Sequence, residues 1–145
     1  MHATRERRGI TAEAAHAAVA AAQAHAATLG IRINVAVADE SGVLMAFLRM
    51  PGAFLHSVDI AIDKAYTAVS FGFATERWPG ILESDATLRA GIAQRPRLVV
   101  FGGGVPLYAG PDLVGGIGVS GGSAEQDAVC ARAGVSAIGL ADSPA

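Results

Sequence analysis

Residues 113–134 read LVGGIGVSGGSAEQDAVCARAG, and this stretch predicts the unit around which the rest of the fold is organised. The apolar run Leu113–Val119 is typical of a buried strand. The glycine-rich Ser120–Gly122 then favours a tight turn, because glycine adopts backbone conformations that other residues avoid. A helix is predicted to begin after Ser123, since Ser123 and Gln126 have the spacing of a capping box. The sequence therefore indicates a strand, a turn and a helix in succession.

The first turn of this helix is a candidate ligand site. A helical wheel places Glu125 and Gln126 on the same side as the apolar Val129, whereas Asp127 points away. The two polar side chains are expected either to line a pocket beside the glycine turn or simply to cap the helix. The turn matches neither a dinucleotide-binding fingerprint nor a phosphate-binding P-loop, because the glycine spacing differs and no lysine follows.

Composition limits the partners of this chain. With 145 residues it is expected to form one domain, and 52% of the residues are apolar whereas only 17% are charged. These proportions predict an apolar surface that is buried against further copies of the chain in a homo-oligomer. The net charge of −2 argues against nucleic acid and against an anionic membrane as partners. No apolar run approaches about 18 residues, the length of a membrane span.

Two features bear on location and domain boundaries. Cys130 is the only cysteine, which excludes an intrachain disulfide and favours a reducing cytoplasm. Its position within a helix, without clustered histidines, indicates a packed side chain and not a nucleophile or metal ligand. Residues 1–9 are charged and no apolar core follows them, so they predict a flexible basic leader ahead of a single domain at 10–145, not a signal peptide.

The remaining periodicity predicts an α+β domain with a mainly antiparallel sheet, because hairpins and not crossovers join the strands. Helices are predicted from Thr11 to about residue 29 and from 58 to 71, with Thr11 and Ser57 as caps, and 75–93 is irregularly helical. Strands are predicted at 31–38, 43–49, 98–104 and 113–119, with a short strand or extended run at 105–108 and a short apolar strand or tail at 135–140. Pro106 should keep its strand at an edge of the sheet.

Lys64 is the only lysine in the chain, against ten arginines. It falls in the middle of the second helix, which is predicted to be apolar on two sides. One side carries Val58, Ile62, Ala65 and Val69, and the other carries Ile60, Lys64, Thr67 and Phe71. Lys64 is expected either to form a buried salt bridge or to bind an anionic ligand or take part in catalysis. The candidate partners for a salt bridge are Asp59, Asp63 and Glu125.

Further candidates lie near the same helix and near the glycines. His16, at the edge of the buried stripe of the first helix, and His56, in the loop before the second, are each expected to be either solvated or a ligand. Arg49 ends a strand close to a helix N-terminus, which attracts anions. Backbone amides of glycines can also donate to an anion, and the candidates are Gly103, Gly104, Gly121 and Gly122.

Four motifs resemble the GlcG/HbpS-like family over about residues 10 to 140. They are INVAVADESGVLMAFLRMPGA at 33–53, SVDIAIDKAYTAVSFGFAT at 57–75, FGGGVPL at 101–107 and VGGIGVSGGSAEQD at 114–127. The resemblance implies a profilin-like fold, with an antiparallel five-stranded sheet flanked by helices, and homo-oligomers from dimer to octamer. It also implies haem as the cofactor, since some members bind haem or its breakdown products. Some relatives hold haem through a histidine of the first helix, for which His16 is the nearest counterpart.

Three hypotheses on function follow. A binding module would hold haem or a related planar anionic ligand, with His16 or His56 on the iron. Lys64 or Arg49 would then meet a carboxylate of the ligand. A cofactor-independent isomerase, lyase or hydratase would use Lys64, Glu125 and His56 for acid–base chemistry on a small organic acid or carbonyl compound. A purely structural protein would have no site. For the first two, Lys64, Glu125 and the glycine turn are expected to meet at one concavity.

Overall fold

A four-stranded antiparallel sheet forms the centre of the structure, a computed structural model that describes residues 1–145. The strands are β1 (Asn34–Asp39), β2 (Leu44–Arg49), β3 (Gly104–Ala109) and β4 (Asp112–Ser120), in the order β2-β1-β4-β3. Two hairpins, β1–β2 and β3–β4, are joined by the pairing of β1 with β4. The α+β class and the antiparallel sheet are confirmed, and Pro106 lies on an edge strand as predicted.

The chain has five helices, three of which pack on the two faces of the sheet. They are α1 (Ala12–Thr28), α2 (Ser57–Phe71), α3 (Trp78–Glu83), α4 (Ala86–Ile92) and α5 (Ala124–Ala137), and a 3₁₀ turn spans Thr75–Arg77. α1 and α5 share a core cluster with Ile33, Val35 and Val37. α2 packs on the other face, against Ala36 and Ala38, because successive strand residues point to opposite sides. No helix is long and apolar enough to cross a lipid bilayer.

The prediction of five strands was wrong, because the segment predicted as a strand at 98–104 is a loop up to Gly103. The backbone of this loop finds its hydrogen-bond partners outside the sheet. Thr67 of α2 accepts from Val99 N at 3.1 Å through its hydroxyl oxygen. Because the Thr67 side chain satisfies the Val99 amide, this amide does not need a partner on a neighbouring strand.

The C-terminal apolar segment at 135–140 is not a strand either. α5 continues to Ala137, and beyond it only Ala141 pairs with the sheet, as an isolated bridge to Tyr108. Tyr108 N donates to Ala141 O at 2.8 Å, and Ala141 N donates to Tyr108 O at 3.0 Å. The tail therefore protects the outer edge of β3 from pairing with other chains.

Side-chain caps mark the starts of α1, α4 and α5, whereas α2 and α3 begin without one. Thr11 caps α1, and Ser123 caps α5 in a complete capping box, as predicted. The prediction that Ser57 caps α2 was wrong, because the helix begins at Ser57 itself and His56 holds the N-cap position. The turn that precedes α2 already supplies a partner for the first helical amide, since Ser57 N donates to Phe54 O at 3.1 Å.

Small residues bring α2 close to the sheet. Its buried face includes Ala61, Lys64, Ala65 and Ala68, whereas Val58 and Ile62 of the predicted stripe are only half-buried. The helix lies over Gly116 and Gly118 of β4, and a Cβ atom on Gly118 would fall 2.1 Å from Ala61 O. A helix backbone can approach a sheet this closely only where both surfaces lack bulky side chains.

Residues 1–9 lie on the surface of the domain and are exposed. Arg8 Nη1 is 3.1 Å from Asp112 Oδ2, and Arg7 donates to Glu40 O. The core begins at Ile10, whose side chain is buried and whose amide donates to Val114 O at 3.0 Å.

Candidate functional site

Lys64 forms a buried ion pair, but with a different acid from those predicted. Its Nζ lies 3.1 Å from Asp127 Oδ2 and donates to Val119 O at 2.8 Å. The side chains of Lys64 and Asp127 are 1% and 3% exposed, respectively. Glu125, the predicted partner from the same helix turn, is exposed. Lys64 therefore lies in the interior and Glu125 on the surface.

The orientation predicted for Asp127 was wrong, because the helical wheel was anchored on Val129. Val129 is 48% exposed. The buried side of α5 begins at Asp127 and continues through Cys130, Ala131 and Gly134. Small residues again mark the face that packs, whereas the larger valine lies outside. Gln126 has the capping role predicted for it, since its Oε1 accepts from Ser123 N at 3.0 Å.

The middle of α2, the glycine turn and the start of α5 meet as predicted, but they enclose an ion pair and not a cavity. Asp127 Oδ1 accepts from Gly122 N at 2.9 Å, while Oδ2 holds Lys64. A Cβ atom on Gly103 would lie 2.5 Å from Lys64 Nζ and 2.5 Å from Val119 O. There is therefore no space beside the ammonium for a ligand, and the pair is structural.

The other glycines predicted to bind a ligand pack closely against protein atoms, and the amide of Gly104 already donates to Thr75 Oγ1 at 2.9 Å. A Cβ atom on Gly104 would be 2.5 Å from Lys64 O, and one on Gly121 would be 2.3 Å from Arg32 O. On Gly122 it would be 2.8 Å from Gln126 Oε1. These glycines permit close packing between backbone segments within the chain.

Burial governs the protonation of the groups around this pair. It lowers the pKa of Lys64 from 10.5, and the charge and hydrogen bond of Asp127 oppose this effect. The ring of Phe101 covers the ammonium, with Nζ 5.0 Å from the ring centroid. Burial, with a further contribution from Asp127, raises the pKa of the Cys130 thiol to about 11. Cys130 is a free, buried thiol, as expected of a packed side chain.

A cleft of about 580 Å³ opens beside the N-terminal half of α2, and we call it the His56 cleft. It is lined by Leu55, His56, Val58, Asp59, Ile60, Asp63, Arg97, Leu98, Val99 and Phe101. The His56 imidazole makes no capping hydrogen bond to α2, so the helix does not engage its ring nitrogens. An apolar cleft of this size with a few polar groups is typical of small-molecule sites.

Two residues fix the loop that carries His56. Arg49 Nη2 donates to Ala53 O at 2.7 Å, and Asn34 Nδ2 donates to Phe54 O at 3.2 Å. Arg49, predicted to bind a ligand, therefore holds the backbone three residues before His56. Asn34 is fully buried, and its Oδ1 has no hydrogen-bond partner.

Arg97 is the cleft residue that the sequence analysis missed. Its Nε donates to Asp63 Oδ1 at 2.9 Å, and its guanidinium lies 3.7 Å from the centroid of the Tyr66 ring. Asp63 and Arg97 are 34 residues apart, so no local spacing connects them. The only signal in the sequence was the concentration of charge in Arg95-Pro96-Arg97.

His16 lies apart from the other candidate residues. It is exposed on α1, which packs on the opposite face of the sheet from α2 and His56. The two histidines therefore cannot bind one ligand within a single chain. No group of three or more His, Cys, Asp and Glu side chains is arranged to hold a metal ion.

Comparison with known proteins identifies the family. The model of the family described as haem degrading protein HbpS-like matches residues 10–136. The chain therefore belongs to the HbpS-like family, and the resemblance seen in the sequence is confirmed.

Individual relatives span most of this chain. An uncharacterized 15.0 kDa protein from the dhaT-dhaS intergenic region of Citrobacter freundii is 34% identical over 124 residues, which cover 85% of this chain and 87% of the relative. The structure of PduOC in complex with haem has a TM-score of 0.86 at 32% identity and covers 93% of this chain and 99% of its own. A double mutant of HbpS from Streptomyces reticuli has a TM-score of 0.85 at 35% identity, covering 94% and 91%.

Proposed function

We propose that this protein binds haem, or a related planar ligand with carboxylate groups, in the His56 cleft. The observation that carries the proposal is the position of an imidazole on the rim of an apolar cleft that also contains a guanidinium. Neutral imidazole is a common axial ligand of haem iron. Arginine is well suited to the carboxylates of such a ligand because its donors form a fork.

The lining residues fit such a group chemically. Leu55 and Phe101 are 83% and 46% exposed, so both present apolar surface that a flat apolar ligand would cover. The Nη groups of Arg97 are available to the ligand, since its hydrogen bond to Asp63 uses only Nε. Asp59, in the first turn of α2, is exposed and carries a negative charge. The ligand carboxylates would therefore face Arg97 and lie away from Asp59.

The relatives support the same class of ligand. The family is described as haem degrading, and PduOC, which is 32% identical to this chain, forms a complex with haem. Bound haem would supply redox or oxygen chemistry at its iron. The residues of this chain would bind the group, orient it through Arg97 and exclude water from one of its faces.

Titration with haemin tests this proposal. The unmodified protein is expected to shift the Soret band of haemin at stoichiometric concentration, and His56→Ala is expected to weaken binding by about tenfold or more, because it removes the iron ligand. His16→Ala is the matched control and should bind like the unmodified protein. Unchanged spectra of free haemin would rule out haem, and loss of binding in His16→Ala alone would move the ligand to α1.

The acid–base alternative has no comparable geometry to support it. Lys64 is buried in its pair with Asp127, whereas Glu125 is exposed. His56 lines a different surface from either residue. The three residues therefore do not form one acid–base site, and ligand binding is the function that the geometry favours.

We also propose that the chain forms homo-oligomers of two to eight copies. The edge strand β2 and the loop after it expose large apolar side chains, of which Phe54 is 67% exposed. Apolar surface of this kind usually marks an interface. Sedimentation at micromolar concentration should show a dimer or larger species, and a single species near the chain mass of 14.6 kDa would contradict this expectation.

A further inference from the structure

A second cleft lies beside the C-terminal half of α2, and its volume is about 660 Å³. We call it the Tyr66 cleft. Phe71, Ile92 and Leu98 supply apolar surface, and Arg95 and Arg97 supply two guanidinium groups. We propose that the Tyr66 cleft binds a small organic carboxylate, with the carboxylate on the arginines and the apolar body against the other side chains. Arg97 and Leu98 line both this cleft and the His56 cleft, but the proposal for the Tyr66 cleft does not depend on haem binding.

The charge of the cleft favours an anion. No aspartate or glutamate is among its lining residues, although the chain as a whole has a net charge of −2. Arg97 is partly balanced by Asp63, but that contact uses only Nε, and the side chain remains 44% exposed. Arg95 is exposed. Since arginine stays charged at all ordinary pH values, the cleft keeps its positive charge.

Arg97 is held in position from several sides. Its guanidinium lies 3.7 Å from the centroid of the Tyr66 ring, and its carbonyl oxygen accepts from the Thr67 hydroxyl at 2.9 Å. The same hydroxyl oxygen accepts from Val99 N at 3.1 Å. Arg97 and Leu98 form the wall that both clefts share, and the Thr67 side chain holds the backbone of this segment against α2. A guanidinium fixed in this way loses little entropy when a carboxylate binds.

The backbone of Arg97 gives an independent reason to assign a role to its side chain. Its φ is 67°, and it is the only residue other than glycine with a positive φ. A glycine would adopt this backbone conformation without strain, whereas an arginine is strained in it. The reason for an arginine at this position therefore lies in its side chain. Strain of this kind is often found at binding sites.

The ligand class follows from combining charge with apolar surface. A simple phosphate would use the arginines but would leave Phe71, Ile92 and Leu98 uncovered. An aryl or aliphatic carboxylate would use both parts of the cleft, because Arg forms paired hydrogen bonds with the carboxylate while the body displaces water from the apolar side chains. Benzoate is the simplest probe with both features, and inorganic phosphate is the matched probe that has only the charge.

The single tryptophan provides a signal from within the protein. Phe71 lines the cleft and packs edge-on against Trp78, with ring centroids 4.8 Å apart. A ligand that contacts Phe71 is therefore expected to change the fluorescence of Trp78. Titration of the full, haem-free chain with benzoate should give a saturable change, whereas phosphate should give none.

Substitutions at Arg97 test the assignment. Arg97→Gly removes the guanidinium and suits the positive φ, so the protein should fold while its affinity for benzoate falls by about tenfold or more. Arg97→Lys keeps the charge without the fork and should lie between the two. Arg89→Ala is the control, since Arg89 is an exposed arginine of α4 that does not line the cleft, and its affinity should be unchanged.

Three results would overturn the proposal. One is the absence of any saturable response to benzoate, by fluorescence and by NMR chemical shifts. Another is an affinity of Arg97→Gly equal to that of the unmodified protein. Equal responses to benzoate and phosphate would mean that the cleft binds anions without regard to an apolar body, which would contradict the assigned class. Because no haemin is present, these outcomes are independent of the haem titration.

Discussion

Lys64→Met is expected to lower the free energy of unfolding by about 3–5 kcal/mol, because it leaves a buried carboxylate without its cation. Asp127 is 3% exposed, and it retains only the hydrogen bond from Gly122 N in the variant. Equilibrium unfolding in urea measures the change. A loss below about 1 kcal/mol would show that the pair does not hold α2 to α5.

Two control variants distinguish the loss of stability caused by breaking the ion pair from the loss that any substitution nearby would cause. Glu125→Ala changes an exposed carboxylate two residues before Asp127 and should alter stability by no more than about 0.5 kcal/mol. The double variant Lys64→Met, Asp127→Leu removes both charges and should recover a large part of the loss, since no unpaired charge remains. A double variant no more stable than Lys64→Met would contradict this account.

The same pair gives a signature in the pH dependence. Burial lowers the pKa of Lys64 in the folded state below its unfolded value of 10.5, so between these two values the unfolded state binds more protons. Stability contributed by Lys64 therefore rises with pH up to about 10.5. Cys130, whose pKa is raised to about 11 from 9.0, acts in the opposite sense above pH 9. The contribution of Lys64 is absent from Lys64→Met, so the difference in stability between the unmodified protein and this variant should widen as the pH rises to about 10.5.

Gly118→Ala is expected to destabilise the fold by about 3 kcal/mol or more, at or above the upper end of ordinary overpacking. The added Cβ atom would lie 2.1 Å from Ala61 O and 2.5 Å from Ala65 N. Both are backbone atoms of α2, so the helix itself must move away from β4. Thermal or urea unfolding measures the loss.

Gly80→Ala is the matched control for this substitution. Gly80 lies in α3, and nothing is within 4 Å of the position of an added Cβ atom. Alanine is a better helix former, so stability should stay unchanged or increase by up to about 1 kcal/mol. A Gly118→Ala variant as stable as Gly80→Ala would mean that the approach of α2 to the sheet is looser than described.

The parts of the fold that depend on neighbouring residues could be predicted from the sequence. The β1–β2 hairpin, the cap at Thr11 and the capping box at Ser123 each involve only a few consecutive residues. The family resemblance added the architecture of a sheet flanked by helices. It also led to a five-stranded prediction, which the loop before Gly104 does not satisfy.

The contacts between helices and sheet could not be predicted in the same way. Apolar periodicity selects the largest hydrophobic side chains, so Val58 and Val129 were placed inside. The structure instead buries small residues such as Ala61 and Gly134, because the backbones approach too closely for larger ones. Because Val129 was placed inside α5, Asp127 was predicted to point away from Lys64, and Glu125 was named as a partner instead.

The candidate site was predictable in part. His56 was identified from its position before a helix N-terminus, and it does line a cleft. Arg97 could not be found, because its contacts with Asp63, Tyr66 and Thr67 are all long-range in sequence. A positive φ at a residue other than glycine has no sequence signature either.

Anomalous scattering at the iron edge, from crystals of the protein with haemin, tests the central claim most directly. The account predicts an iron peak in the His56 cleft, beside the His56 imidazole, with density for the ligand carboxylates on the side of Arg97. An iron peak beside His16 on α1, or iron bound at any site away from the His56 cleft, would contradict it.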